Sequence, residues 1–278
     1  MARKSSIASL SRGFSPHTPL ITQPEPAAKH DTKASRFSNL RTTSLLVDDD
    51  ILIDAGTGVG DLSIAELSRI DHVFVTHSHL DHIACLPLMV DTVGELRDTP
   101  RTVWTTGPTL EVLRRHIFNW SIWPDFTEIP SAEKPFMRFR ELRVGDEIEL
   151  GGRAIRVLPA QHTVPAVGYA VRSTGGTLAF SGDTTVCDEF WSAVNALPDL
   201  RYLIIETAFP DRDRQLAVMS RHLCPDMLAS ELQKLERPAE IYITHLKPSQ
   251  MIMTMREIAE TLGALQPRML RNNHVFDF

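Results

Sequence analysis

Residues 77–82 read His-Ser-His-Leu-Asp-His, placing four potential metal ligands within six positions. They follow directly on the apolar run Val73-Phe74-Val75. A strand ending there delivers them to the carboxyl edge of a sheet, where open α/β sheets place their sites. Alternate side chains of an extended segment point the same way, so His77 and His79 share a side and can grip one ion. Asp81 and His82 belong to the turn that opens the next helix and can face a second ion. A two-ion site needs further ligands, and three later residues each stand just after an apolar strand. His162 follows Ala154 to Pro159, Asp183 follows Leu178 to Gly182, and His245 follows Ile241 to Thr244. Gly182 permits a tight turn ahead of Asp183. One strand-end histidine is more often a structural hydrogen-bonder; three such residues in series argue for a shared site. Imidazole and carboxylate donors without thiolate suit zinc, and the same cage accepts manganese or iron. Such a site lowers the pKa of a shared water toward ~7 and neutralises charge on an attacked carbonyl or phosphoryl group.

The elements that must position these ligands are legible from pattern. Ser44 to Val47 and Ile51 to Ile53 flank Asp48-Asp49-Asp50, a hairpin signal. Ile70 to Thr76 reads as a strand, the hexad as a loop, and Ile83 to Val93 as a helix. Thr102 to Thr105 and Leu110 to Phe118 give another strand and helix. Strands are then expected at Glu147 to Leu150, Ala154 to Leu158, Val167 to Val171, Thr177 to Phe180, Tyr202 to Ile205 and Ile241 to Thr244. Helices are expected to end at Val194 to Leu197 and to span Met227 to Leu235 and Met251 to Leu262, with Gly263 as the last stop. Two successive halves, each β-rich then α-rich, predict an α/β fold of two sheets packed face to face with helices outside.

The totals exclude little but point one way. The 278 residues are 42% hydrophobic and 23% charged, as in an ordinary globular protein. No apolar run approaches the ~18 residues of a membrane helix. The net charge of −6 lacks the basic footprint nucleic acid requires. Cys85, Cys187 and Cys224 form no CxxC pair and read as reduced thiols. Residues 1–40 are rich in Ser, Pro, Thr and Lys and read as a disordered or atypical leader, with the domain at 41–278. The basic, Ser-rich opening also fits a transit peptide, so the expected compartment is cytoplasmic, with organellar targeting as the alternative.

The hexad, His162, the Ser-Gly-Asp-Thr at 181–184 and the Thr-His at 244–245 resemble the metallo-β-lactamase superfamily, over about Arg41 to Pro267. Within it, His77 to Ile83, Glu206-Thr207-Ala208-Phe209, Arg221-His222-Leu223 and Thr244 to Pro248 resemble class II cyclic-nucleotide phosphodiesterases, in the ribonuclease Z-like branch. The resemblance implies a four-layer αββα sandwich of two mixed β-sheets. It assigns His77, His79 and His162 to one divalent ion and Asp81, His82 and His245 to the other, with Asp183 bridging. Asp81 also counts among the catalytic groups. A bridging hydroxide attacking a 3′,5′-cyclic nucleotide such as cAMP, to give the 5′-monophosphate, is the implied reaction. Glu206 and His222 look like the strand-end Glu and later His of the ribonuclease Z group. His222 would protonate the leaving oxygen while Glu206 holds its ring; alternatively it bonds a phosphate oxygen or caps the helix from Pro225.

Three further residues carry paired readings. Asp54 orients a ligand histidine or caps the turn at Gly56 to Gly58. Lys247 holds a phosphate oxygen or is a surface lysine. Trp123, in the run Phe118, Trp120, Trp123, Phe126, stacks on a base or belongs to core or subunit contact. Family members open with a strand and a Gly-rich loop just before the region of Arg41, and residues 27–40 supply neither, so an edge of the first sheet is expected to be missing or replaced. The competing functions are a transfer-RNA 3′-processing nuclease, a lactonase or thioesterase, a redox di-iron protein and a degenerate binding module. The expected partner is a small phosphodiester rather than nucleic acid or membrane, and the resemblance implies a homodimer.

Overall fold

The computed structural model describes residues 6–9 and 40–278. The first half of the chain forms β1 (Ser6–Ser9), β2 (Leu45–Val47), β3 (Ile51–Ile53), β4 (His72–Phe74), β5 (Arg101–Thr106) and β6 (Met137–Leu142). The second forms β7 (Glu147–Leu150), β8 (Arg153–Ala160), β9 (Ala166–Ser173), β10 (Gly176–Phe180), β11 (Leu200–Glu206), β12 (Glu240–Thr244), β13 (Arg268–Met269) and β14 (Val275–Asp277). They pair into two seven-stranded sheets, ordered β14-β1-β2-β3-β4-β5-β6 and β13-β12-β11-β10-β9-β8-β7. Both are mixed: β3 to β6 run parallel, as do β10 to β13, and the remaining pairs are antiparallel.

Side-chain alternation produces the layers. Ile51, Ile53 and Phe74 of the first sheet meet Val157, Tyr169, Phe180, Ile204 and Tyr242 of the second in one core. Their neighbours Leu52, Val73 and Val103 point outward, under α3 (Leu86–Val93) and α4 (Gly107–His116). On the far side, Ala179, Leu203, Ile205 and Ile243 are covered by α5 (Asp188–Asn195), α7 (Pro225–Leu232) and α8 (Met251–Leu262). The order is therefore helix, sheet, sheet, helix. Central strands buried on both faces are apolar through their middles, which is why β4, β11 and β12 read as short apolar runs.

Three departures have physical reasons. The helix expected over Ile83 to Val93 is divided into α2 (Leu80–Ile83) and α3. Pro87 sits in the first turn of α3 and has no N–H to continue α2. The expected gap at the edge of the first sheet is filled by β1, which aligns Ile7 with Phe276 on one side and Val47 on the other. This strand comes from further upstream than residues 27–40; the other readings made for residues 1–40 lie outside the described residues. Finally, the helix α1 (Ile64–Arg69) went unpredicted although Ser63 and Glu66 form a full capping box at its start. Among the described residues no helix is long and apolar enough to cross a membrane.

Candidate metal centre

The site lies where the carboxyl ends of both sheets meet. β4 runs into the hexad through Val75 and Thr76, and α2 then turns Asp81 and His82 back over it. From the second sheet, β8 leads to His162, β10 to Asp183 and β12 to His245. Two groups result, His77, His79, His162 and Asp183, and Asp81, His82, Asp183 and His245, each with ligand atoms within 4.8 Å of one another. Asp183 belongs to both. Its Oδ2 lies 3.7 Å from His77 Nε2 and 3.9 Å from His162 Nε2, while its Oδ1 lies 3.3 Å from His82 Nε2 and 3.2 Å from His245 Nδ1. Each carboxylate oxygen thus faces one group.

Strained backbone aims the ligands. His245 adopts φ +63° and Gly182 φ +62°. A Cβ at Gly182 would come 2.7 Å from the Val167 carbonyl oxygen, so the loop delivering Asp183 needs glycine.

The donor set fits a pair of divalent cations on grounds internal to the structure. His77 Nε2 and His82 Nε2 are fully buried yet make no hydrogen bond. Buried polar atoms without partners are costly, and inward-facing lone pairs on both rings suit cation ligation. The opposite ring nitrogens are held. Thr76 Oγ1 lies 3.0 Å from His77 Nδ1, and Asp54 Oδ2 lies 2.7 Å from His82 Nδ1. The buried Asp54 carboxylate also accepts from Thr76 N and Thr76 Oγ1, both at 2.8 Å. It faces the hexad, whereas the turn at Gly56 is held by Thr43, whose carbonyl accepts from Gly56 N at 2.9 Å. His162 Nδ1 lies 3.0 Å from the Arg221 carbonyl, and the Arg221 guanidinium donates back to the His162 carbonyl at 2.9 Å. Such outer contacts fix ring tautomer and direction.

Electrostatics divide the histidines. Burial holds His77 well below the ordinary imidazole value and lowers His79 and His162. Burial likewise pushes His245 down to about 3 despite Asp183 alongside. Neutral imidazoles are the form that binds cations. His82 behaves oppositely: burial works against its charge, but Asp183 and Asp54 together raise it well above its usual range. Asp183 is held well below the carboxylate range, because His82 and His245 outweigh the effect of burial.

Beside the ligands, Glu206 at the end of β11 lies fully buried with Oε1 2.6 Å from His222 Nδ1. Glu206 also accepts from Thr184 N at 3.1 Å and Leu223 N at 3.3 Å. Burial raises the Glu206 carboxyl; in His222 burial is outweighed by the bond to Glu206, which raises the imidazole. The His222 ring stacks on His245 at 4.9 Å and lies 4.8 Å from His162. Its ring is thus turned to the ligand cluster, and the helix from Pro225 starts without a side-chain cap bond. Lys247 Nζ stands 3.1 Å from His245 Nε2 and 5.7 Å over the Phe209 ring.

Trp123 is not joined to this cluster. It packs partly buried against the helix-covered face of the first sheet, near Phe118 and Phe126. Thr76 and Arg221, which hold two ligand rings, escaped the sequence reading. Thr76 immediately precedes the hexad at the end of an apolar run, which is a usable signal; Arg221 has no local one.

A four-layer sandwich with two ligand groups sharing one aspartate defines a class. The profile of the beta-lactamase superfamily domain matches residues 49–270, and the chain belongs to that family. It is 28% identical over 204 residues to a probable 3′,5′-cyclic-nucleotide phosphodiesterase of Yersinia pestis, covering 65% of this chain and 58% of that protein. It is also 33% identical over 104 residues to a nuclear ribonuclease Z of Triticum aestivum, covering 37% of this chain and 55% of that one. The chain spans 58% and 60% of the length of two phosphodiesterase relatives, from Yersinia pestis and Aliivibrio fischeri. Among solved structures, unliganded yeast PDE1 superposes with a TM-score of 0.72 at 18% identity, covering 99% of both chains. The metallo-beta-lactamase fold protein YhfI of Bacillus subtilis gives 0.69 at 16%, again covering 99% of both.

Proposed function

We propose that this chain is a two-metal phosphodiester hydrolase whose preferred substrate is a 3′,5′-cyclic nucleotide such as cAMP, released as the 5′-monophosphate. The observation that carries the reading is the Glu206–His222 pair, bonded at 2.6 Å and stacked against ligand His245. An alkoxide leaving group needs a proton, and this pair can deliver one. Hydrolysis of a thioester, whose thiolate leaves readily, has less use for it.

In this reading His77, His79 and His162 hold one ion and Asp81, His82 and His245 the other, with Asp183 shared. Zinc suits the donors, with manganese or iron as alternatives. When bound, the ions supply an activated water and neutralise charge on the phosphoryl oxygens. Asp54 and Thr76 keep the Nε2 atoms of His82 and His77 directed at the site. Glu206 accepts from Nδ1–H and favours the imidazolium form of His222, whose second proton, at Nε2, passes to the leaving 3′-oxygen while Nδ1–H stays bonded to Glu206. The Lys247 ammonium is placed to donate to a non-bridging phosphate oxygen.

The test is hydrolysis of 3′,5′-cAMP with zinc or manganese, before and after chelation. Metal-dependent release of 5′-AMP is expected, and His222→Ala is expected to slow it by about 10²–10⁴-fold. Unchanged turnover in His222→Ala refutes the proton-donor role. The relatives named ribonuclease Z favour a second reading, transfer-RNA 3′-processing. Its mark would be RNA binding that weakens steeply with salt, and the net charge of −6 speaks against it.

A further inference from the structure

A cavity of about 890 Å³ opens beside the ligand cluster, with Asp81, His245 and Lys247 forming one wall. Much of the remaining wall is apolar and soft, formed by Leu246, Met251, Met255, Met269 and Leu270, with exposed Ile252 at the rim and polar residues at 41–44, 271 and 272. This volume suits a small organic molecule, since such pockets run to about 300–1,000 Å³. Methionine thioethers pack well on flat aromatic faces and adapt to different outlines. Polar side chains around the cavity are largely engaged within the protein. Arg41 donates to Asp61 at 3.0 Å, Thr42 Oγ1 accepts from Thr57 N at 2.8 Å, and Ser44 Oγ donates to the Thr43 carbonyl at 2.7 Å.

From these observations we infer that the cavity is a nucleoside pocket, holding the base of a single nucleotide by shape and dispersion and tolerating different bases. The inference rests on the phosphodiesterase reading above. In a cyclic phosphodiester both ester oxygens belong to one sugar, so a single pocket beside the cluster accommodates the whole organic part. A polynucleotide would extend beyond it at both ends. Discrimination among bases by factors near 10⁴ would need buried donors and acceptors awaiting a partner, as in sites built around hydrogen bonds. The Leu and Met walls cannot provide that, and the arginines of the lining, Arg41 and Arg271, are exposed rather than buried.

The experiment compares kcat/KM for cAMP, cyclic UMP and methyl 4-nitrophenyl phosphate, a diester too small to fill the cavity. In the parent, cAMP and cyclic UMP are expected within about tenfold of each other. Met255→Trp fills the cavity and should lower the ratio of cAMP to small-diester kcat/KM by about tenfold or more. Ile252→Trp, at an exposed rim position, gives the same sign in a smaller amount and serves if Met255→Trp fails to fold. An unchanged ratio in the folded variants overturns the inference, as does a preference between the two bases above about 100-fold. If the parent cleaves no diester, the phosphodiesterase reading has failed, and binding of 5′-AMP by calorimetry decides the pocket separately. Binding that weakens in the filled variants sustains it; no binding to the parent overturns it.

Discussion

Asp54→Asn isolates one oxygen of the metal centre. Asp54 is wholly buried at φ +58°, a conformation asparagine adopts readily, so the substitution conserves volume and backbone. The amide oxygen can replace Oδ1 and keep the bonds from Thr76 N and Oγ1, at 2.8 and 3.0 Å. The amide nitrogen then occupies the Oδ2 position, 2.7 Å from His82 Nδ1. That nitrogen is a donor, so His82 must turn its Nδ1 lone pair toward it and carry its proton on Nε2. Nε2 is the atom aimed at the second ligand group, and a protonated Nε2 cannot ligate. The loss should therefore lie at the upper end for outer-contact substitutions, about 100-fold in metal affinity, or about 2.8 kcal/mol. Competition with a chromophoric chelator at pH 7 measures it directly. Metal-dependent elevation of Tm should shrink in parallel, while the metal-free melt changes little. A metal affinity within about threefold of the parent would refute the tautomer argument.

Two further perturbations test the supports. Gly182→Ala forces a Cβ to 2.7 Å from the Val167 carbonyl at φ +62°; urea unfolding should show a loss of about 1–3 kcal/mol, with weakened metal binding as Asp183 shifts. Arg153→Met removes a buried guanidinium that donates to Asp48 at 2.8 Å and to Asp50 at 2.6 and 2.7 Å, taking from both carboxylates their arginine, and should cost about 2–4 kcal/mol near neutrality. Burial opposes it, but Arg153 holds the Asp50 carboxyl below its ordinary value. A depressed carboxylate contributes stability that is present above the unfolded pKa of ~3.9 and lost as pH falls through the folded value. The gap between parent and Arg153→Met should therefore narrow below about pH 4 in denaturant titrations, and a gap that stays constant contradicts the assignment.

Legibility in the sequence followed the distance over which each feature is encoded. The hexad is compact and follows an apolar run, so both its candidate ligand atoms and its place at a sheet edge were visible. The helix over Met251–Leu262 matched in both bounds because Gly263 and a clear apolar periodicity mark it. By contrast β1 and β14 pair with each other across the whole chain and are three or four residues long, too short for periodicity to register. β6, Met-Arg-Phe-Arg-Glu-Leu, begins by alternating, with Arg138 and Arg140 exposed, but exposed Glu141 and buried Leu142 reverse the pattern before it is long enough to register. The link between Arg221 and His162 spans 59 positions and depends on the left-handed residue that ends α6 (Arg214–Ser220), which no local pattern announces. Trp123 shows the reverse case: an aromatic run suggests a stacking platform, yet Phe118 and Phe126 lie in the helix-covered core with Trp123 packed against them, and Trp120 is exposed.

The ligands divide by sheet, with His77, His79, Asp81 and His82 following the first and His162, Asp183 and His245 the second. His79 and His162, in one group, are 83 positions apart in the chain. Ions held there would rivet two halves that also meet through apolar packing and through Arg153, which donates to Asp48 and Asp50. Cross-links that close long loops restrict the unfolded chain most, and separating the sheets must break them early. On this reading cation loading would set the lifetime of the folded molecule as well as its chemistry: stripped protein would be degraded faster by proteases, and a cell short of the cation would lose the polypeptide itself.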